Sequence, residues 1–281
     1  MPIVRTKEEL AKQLKTSNRR KGIGLVPTMG ALHKGHEFLV QKAAEQNDLV
    51  VVSIFVNPTQ FDKQEDLEKY PKTLEADVTL IKKIDKNIII FAPSEEEVYG
   101  ENIVSKSYDF EGLDKVMEGS YRDDHFNGVG TIVEALLLLV QPDRAYFGEK
   151  DFQQLRIIQK LVEIEQIPVE IVACPIVREP HGLAMSSRNE RLSTEIRQKA
   201  AYIHETLKSA KEVFGTKSAY YVKEKVKESF DLHSEFDLEY IEITDVETLT
   251  PLKEKKEGQK YRAFIAVYAE GVRLIDNIAL N

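Results

Sequence analysis

The chain has 281 residues, which is long enough to bury a substantial core in one large domain or two moderate ones. Its formal net charge of −8, from 39 basic and 47 acidic side chains, argues against nucleic acid or an anionic membrane surface as a partner. The single cysteine, Cys174, rules out an intrachain disulfide and is expected to be a core thiol in a reducing cytoplasm.

The first residues lack the apolar stretch of a secretory leader, and the longest strongly apolar run, 135–140, is too short to cross a bilayer. Thr6 and Glu9 have the spacing of a capping box at a helix start. Apolar runs typical of strands buried on both faces then alternate with helical periodicities. The predicted strands are 23–26, 49–56, 87–91, 144–147 and 169–173, and the predicted helices are 35–46, 73–84, 128–140 and 152–164. This alternation predicts an α/β fold, a Rossmann-like open parallel sheet with helices on both faces.

After residue 177 the alternation ends. A polar connector at 178–191 is followed by two predicted helices and three predicted strands, at 194–213, 220–230, 238–243, 261–269 and 272–278. Gly271 separates the last two strands at the spacing of a hairpin. We therefore expect a Rossmann-like domain at 1–176 and a smaller α+β domain at 177–281 that covers the active site.

The junction between the first predicted strand and the helix after it contains two histidines. Met29 and Gly30 interrupt the strand pattern, and His33 and His36 follow with Gly35 between them. A spacing of three residues places both imidazoles on one face of the first helical turn, where backbone N–H groups without helical partners attract anions. Either histidine alone could simply cap the helix, but the pair with its glycines predicts a nucleotide-phosphate site.

Polar residues also end two later strands. Asn57 and Gln60 suit the hydroxyl and carboxylate groups of a small ligand, although Asn-Pro is also an ordinary turn pair. Gly148 lets a ribose or adenine approach the backbone, Asp151 can accept hydrogen bonds from ribose hydroxyls, and Lys150 can place a positive charge on a phosphate.

The connector carries Ser186, Ser187 and Arg188. Small hydroxyls and an arginine on a flexible loop can close over a triphosphate, and the guanidinium can offset the charge of departing pyrophosphate. The same residues could instead begin a helix, although Ser193 could supply that cap.

His-x-Gly-His is the mark of a nucleotidyltransferase superfamily, and the longer string Pro-Thr-Met-Gly-Ala-Leu-His-x-Gly-His resembles the pantoate–β-alanine ligase family. Further blocks resemble the same family in the same order: 54–61, 70–77, 122–129, 145–155 and 185–189. They cover most of the first 190 residues, and the C-terminal part matches mainly in size. The resemblance implies ATP-dependent condensation of (R)-pantoate with β-alanine to pantothenate, AMP and pyrophosphate through a pantoyl adenylate.

The resemblance also implies roles for individual residues. His36 is expected to be the principal transition-state donor, acting with His33, Lys150 and Arg188. The implied ATP site comprises Pro27, Met29, Gly30, His33, Gly35, His36, Gly148, Glu149, Lys150, Asp151, Val177, Met185, Ser186, Ser187 and Arg188. Pantoate and β-alanine are expected at Met29, Asn57, Gln60 and Gln154. Magnesium and a homodimer are also expected.

Two roles stay open from the sequence alone, and one position departs from the family pattern. Asp77 is the candidate Mg²⁺ ligand, but an aspartate early in a helix is also favoured by the helix dipole. Arg122 could pair with Glu118, with Asp124 or with an anionic group elsewhere. The family usually has aspartate before Gly-Leu-Ala, where this chain has His181, so no acidic role is expected there.

Two other functions share the His-x-Gly-His core. One is a nucleotidyltransferase that releases pyrophosphate without any dependence on β-alanine, and the other is a catalytically silent nucleotide-binding protein. The polar set Asn57, Gln60 and Gln154 favours the ligase, because a nucleotide sensor needs no second pocket for a small acid.

Overall fold

A six-stranded sheet organises the N-terminal part of the chain. The computed structural model describes residues 2–15, 21–61 and 64–281. The strands run in the order β1-β4-β3-β2-β5-β6, and every neighbouring pair is parallel. They are β1 (Ile3–Val4), β2 (Ile23–Thr28), β3 (Leu49–Ile54), β4 (Ile89–Phe91), β5 (Arg144–Gly148) and β6 (Glu170–Cys174). The predicted open parallel sheet is confirmed.

Helices cover both faces of this sheet, because successive strand residues point in opposite directions and both sets are apolar. Val26, Val50 and Val52 share one buried cluster with Leu39 and Ile81, which come from two of the helices. The helices are α1 (Lys7–Lys15), α2 (Lys34–Gln46), α3 (Gln64–Glu68), α4 (Leu74–Ile84), α5 (Glu95–Tyr99), α6 (Glu118–Tyr121), α7 (His125–Val140) and α8 (Phe152–Ile164). α2 and α4 pack against one another over that cluster, whereas α7 contacts β2 and α1.

The strand order places a reversal point between β2 and β5. These two strands are neighbours, but the chain continues from β2 to β3 on one side and from β5 to β6 on the other. In open α/β sheets, ligands bind outside the carboxyl ends of the strands at such a point. β2 ends at Thr28 and β5 at Gly148, so the histidine motif and the Gly148 junction both begin at this edge.

Contacts divide the chain into two compact units. The first unit comprises Met1–Asp114, Glu118–Glu149 and Gln154–Pro175, and the second comprises Lys115–Met117, Lys150–Gln153 and Ile176–Asn281. The division into a domain at 1–176 and a smaller domain at 177–281 that covers the active site stays a prediction.

The second unit contains an antiparallel sheet in the order β7-β8-β9. Its elements are β7 (Asp237–Asp245), β8 (Tyr261–Ala269), β9 (Val272–Ala279), α9 (Thr194–Lys199), α10 (Ala201–Phe214) and α11 (Ala219–Phe230). α10 packs on β8 and β9, and α11 packs on β7. The predicted β8–β9 hairpin is confirmed, with Glu270 and Gly271 at φ 49° and 72°, as a type I′ turn requires.

The predicted helix at 194–213 is two helices rather than one. Ala200 has ψ −9°, which opens the helical turn between α9 and α10. Across the parts of the chain that the structure describes, no helix combines the length and apolar character needed to span a bilayer.

Candidate active site

The two motif histidines lie at the N-terminus of α2, as their spacing predicts. His33 is the N-cap residue, and its Nδ1 accepts a hydrogen bond from the Gly35 N–H at 3.1 Å. The Nδ1 of His36 accepts from the His33 N–H at 3.3 Å, and the two rings lie 4.1 Å apart. Because both Nδ1 atoms are acceptors, the proton of each neutral ring sits on Nε2. Each ring can therefore donate a hydrogen bond from Nε2 to an anionic oxygen.

The turn that precedes these histidines is held by Asp77 of α4. Asp77 Oδ2 accepts from the Ala31 N–H at 3.0 Å, and Oδ1 accepts from the Leu32 N–H at 2.8 Å. The Thr73 hydroxyl lies 3.2 and 3.3 Å from the two oxygens.

Asp77 does not fit the role of a Mg²⁺ ligand. Mg²⁺ keeps several waters around it and needs a carboxylate oxygen with room for them, whereas Asp77 is 2% exposed and both of its oxygens face N–H donors. Within residues 2–15, 21–61 and 64–281, no group of three or more His, Cys, Asp or Glu could hold a metal ion.

One hydrogen-bonded cluster beyond β2 and β3 comprises Asn57, Gln60 and Met29. The buried Asn57 amide donates to Gln60 Oε1 and to the Gly128 carbonyl, each at 3.1 Å. Gln60 Nε2 donates to Met29 Sδ at 3.2 Å. The Tyr99 hydroxyl donates to Asn57 Oδ1, and burial raises the pKa of Tyr99.

The backbone of Gln60 is held by two residues near the start of α7. Arg122 Nη2 donates to the Gln60 carbonyl at 3.1 Å, and His125 Nδ1 lies 2.8 Å from the same oxygen. Arg122 Nη1 lies 3.2 Å from His125 Nε2. A guanidinium can only donate, so Nε2 accepts and Nδ1–H donates to Gln60. Arg122, whose partner was left open by the sequence, thus holds the residue that the resemblance assigns to pantoate.

Gly148, Glu149, Lys150 and Asp151 form the tight passage from β5 into α8. Gly148 ends β5, and Glu149–Asp151 form a 3₁₀ turn. The Lys150 ammonium lies 3.8 Å from Asp151 Oδ1. In the second unit, the Asn277 amide of β9 donates to the Lys150 carbonyl at 2.9 Å, so β9 fixes the backbone that carries this lysine.

The next group is partly buried and comprises Val177, which precedes the connector, and the connector residues Met185, Ser186, Ser187 and Arg188. The Met185 N–H donates to the Val177 carbonyl at 2.9 Å, which brings these two residues together. Ser186 does cap a short helix, because its Oγ accepts from the Arg188 N–H at 3.3 Å at the start of the 3₁₀ helix Ser187–Arg191. The ligand-binding role of the same loop stays a prediction.

Behind that loop, Glu179 links two segments of the second unit. It accepts from Asn189 Nδ2 at 2.8 Å and from Arg197 Nε at 2.9 and 3.0 Å. Burial opposes the charge of Glu179, but the hydrogen bonds from Arg197 and Asn189 hold its pKa below the ordinary value. His181 Nε2 lies 2.8 Å from the Arg197 carbonyl, so this departure from the family pattern serves local structure.

The remaining predicted residues lie close to these groups in sequence. Pro27 belongs to β2 and is paired with Ser53 of β3. Gln154 lies in the first turn of α8 and is partly buried, and no hydrogen bond between the described residues joins it to Gln60. Cys174 is buried, and burial raises its pKa to about 11, which agrees with a core thiol.

Three residues that support the site had no role predicted from the sequence, although His125 belongs to the block 122–129 that resembles the family. Tyr99 bonds to Asn57, 42 residues away, and His125 bonds to Gln60, 65 residues away. Asn277 bonds to Lys150, 127 residues away. No local pattern in the sequence shows these contacts. For His125 the available signals were its place in that block and its spacing of three from Arg122.

Known proteins that are similar to this chain in sequence and structure belong to one family. A model of the pantoate-beta-alanine ligase family matches residues 2–279. A pantothenate synthetase from Christiangramia forsetii is 54% identical over 282 residues, which cover 100% of both chains. A pantothenate synthetase structure from Thermus thermophilus has a TM-score of 0.90 and 41% identity, covering 100% of this chain and 99% of that one. A pantoate-beta-alanine ligase from Francisella tularensis, complexed with beta-gamma ATP and beta-alanine, has a TM-score of 0.80 and 33% identity, covering 100% and 98%. The similarity therefore extends through the C-terminal part, beyond the first 190 residues.

Proposed function

The chain belongs to the pantoate–β-alanine ligase family, and from that premise we propose how it joins (R)-pantoate to β-alanine at the expense of ATP. A carboxylate is a poor electrophile and its oxygen is a poor leaving group, so the acid must first be activated. The pantoate carboxylate attacks the α-phosphorus of ATP, and pyrophosphate leaves. The amine of β-alanine then attacks the acyl carbon of the adenylate, loses a proton and expels AMP.

The observation that carries this proposal is the geometry of His33 and His36. Both rings are held by their Nδ1 atoms at the N-terminus of α2, so each Nε2–H is a fixed donor. In the transition state of phosphoryl transfer, negative charge is spread over the phosphate oxygens. Preorganised donors stabilise this transition state more than they stabilise the ground state. His36 is the principal donor in this proposal, with His33 beside it.

The other roles follow the chemistry of the side chains. Lys150 and Arg188 neutralise the β- and γ-phosphates, and Mg²⁺ arrives as part of the nucleotide substrate with no protein ligand assigned. Gln60 and Gln154 hold pantoate, with Asn57 and Met29 fixing the Gln60 amide. The remaining ATP contacts are those that the resemblance implies. The chain supplies alignment and charge stabilisation, and no covalent nucleophile is required.

An isotope experiment tests the two-step route. When pantoate carries ¹⁸O in its carboxylate, one ¹⁸O should appear in the phosphate of AMP, because that oxygen bridges acyl carbon and phosphorus in the adenylate. Sustained AMP release should also require β-alanine. Without β-alanine, we expect one equivalent of pyrophosphate per enzyme and then no further turnover.

Two results would contradict the proposal. Continuous pyrophosphate release without β-alanine would indicate a nucleotidyltransferase, and ATP binding without AMP formation would indicate a silent nucleotide-binding protein. A homodimer and a cytosolic location complete the proposal. The dimer rests on the family resemblance, and the location rests on Cys174 as a buried free thiol.

A further inference from the structure

We propose that Asp77 is a positioning residue that holds the turn before the two histidines, and that it takes no part in metal binding. This inference rests on the proposed role of His33 and His36 in adenylate formation. Its basis is the pair of hydrogen bonds from consecutive backbone N–H groups to one buried carboxylate.

The turn is one that the chain adopts only with support. Gly30 has φ 81° and Ala31 has φ 50°, and the left-handed region is unfavourable for a residue with a side chain. Consecutive N–H groups in such a turn point toward the same side and form a small anion-binding concavity. Asp77 occupies that concavity, so these two N–H groups are not available to the triphosphate.

The packing beneath the turn is equally tight. A Cβ on Gly30 would lie 3.1 Å from Asp77 Oδ2 and 3.1 Å from Ile54 Cγ2, so a glycine is needed for both its φ and its lack of a side chain. Asp77 comes from the first turn of α4, which packs on α2. A regular helix therefore fixes the carboxylate, and the carboxylate fixes the two residues that lead directly into His33.

This geometry gives the carboxylate a specific effect on the reaction. The turn sets where α2 begins, and the His33 and His36 rings are held by N–H groups of that first turn. Pyrophosphate leaves in the first half-reaction, so donors aimed at the phosphates matter for adenylate formation. They matter little for the attack of β-alanine on a preformed adenylate.

The test compares the two half-reactions in Asp77→Asn. The amide keeps the shape but turns an NH₂ group toward a backbone N–H, so we expect adenylate formation to fall roughly 10- to 100-fold. Pantothenate formation from supplied pantoyl adenylate and β-alanine should stay within about twofold of the wild type. The Mg²⁺ concentration for half-maximal rate should not move. Amide protons of Ala31 and Leu32 should exchange faster with solvent, as measured by NMR.

Two further variants complete the design. Thr73→Val removes the hydroxyl beside the carboxylate and should cause a smaller loss in the same half-reaction. Glu75→Gln removes an exposed carboxylate from the same helical turn and should leave both half-reactions unchanged.

Different failures have different meanings. If excess Mg²⁺ restored the rate of Asp77→Asn, the carboxylate would be a metal ligand. If both half-reactions fell equally, Asp77 would only stabilise the fold. If the wild type made no pantothenate, the proposed function itself would fail, and the question about Asp77 would be settled by the amide exchange alone.

Discussion

Replacing Gly128 with alanine tests how closely α7 must approach the turn that carries Gln60. A Cβ at this position would lie 2.3 Å from the Thr59 carbonyl oxygen, 2.6 Å from the Thr59 carbonyl carbon and 2.9 Å from the Gln60 nitrogen. All three atoms belong to the backbone and cannot rotate away, so the turn must move by about 1 Å to reach ordinary contact.

Two opposing effects decide the stability of this variant. Alanine inside a helix is favoured over glycine by about 0.8–1 kcal/mol, whereas overpacking a buried contact costs about 1–3 kcal/mol. Because the obstacle is backbone, we expect the cost to win and the free energy of unfolding to fall by up to about 2 kcal/mol. The effect on activity should be larger, because a displacement of about 1 Å in a positioned group can cost about 100-fold.

The assay is the rate of AMP release as a function of pantoate at saturating ATP and β-alanine, together with thermal unfolding. Gly130→Ala is the matched control. Its Cβ would lie 2.9 Å from Cε2 of Tyr108, so it would contact a side chain rather than the backbone of the turn that carries Gln60. The control should lose stability with kcat/KM for pantoate within about twofold of the wild type. Unchanged kcat/KM for pantoate in Gly128→Ala would refute the idea that this contact sets the position of Gln60.

Three further substitutions test other parts of the site. His36→Ala should lower the rate of adenylate formation roughly 10²–10³-fold, and a near-normal single-turnover rate would remove this residue from the mechanism. Asn277→Ala removes the donor to the Lys150 carbonyl and should raise KM for ATP by about tenfold, with a pantoate KM close to normal; the reverse pattern would contradict the assignment of Lys150. Glu179→Gln should reduce the loss of unfolding free energy between neutral and acidic pH. The pKa of Glu179 is lowered in the folded state, so its carboxylate stabilises the fold above the unfolded pKa of about 4.3. That contribution is lost as the pH falls through the folded pKa, and unfolding midpoints measured between neutral pH and pH 3 would reveal the difference.

Most of the fold could be predicted because its signals are local. The apolar runs that became β2 and β3 are buried on both faces, which is the pattern of a parallel sheet. The capping box is present, since Thr6 Oγ1 accepts from the Glu9 N–H and Glu9 Oε2 accepts from the Thr6 N–H. β1 was not predicted, because Ile3–Val4 is a strand only through its pairing with β4, whose residues lie 87 positions farther along.

The candidate site divides in the same way. The histidine geometry follows from a strand, a turn and a helix that are adjacent in sequence, so spacing was enough to predict it. The role of Asp77 could not be read in this manner, because a sequence shows that a carboxylate is present but not what faces it. Arg122 was undecided for the same reason, since one of its partners is a carbonyl 62 residues away.

At four buried positions, the proposed site needs a polar side chain where an apolar one would stabilise the fold more easily. Asn57, Asp77, Asn189 and Asn277 are all at most 2% exposed, and burying a polar group is costly unless it is hydrogen-bonded. Each one bonds to backbone beside a residue assigned to a substrate: Gly128 O next to the Gln60 turn, the 31–32 amides, Ala184 O before Met185, and Lys150 O. An apolar core would be easier to stabilise at these places, but it would not fix a carbonyl or an amide in one direction. Substitutions at these four positions should therefore reduce turnover by more than the fraction of protein that they unfold.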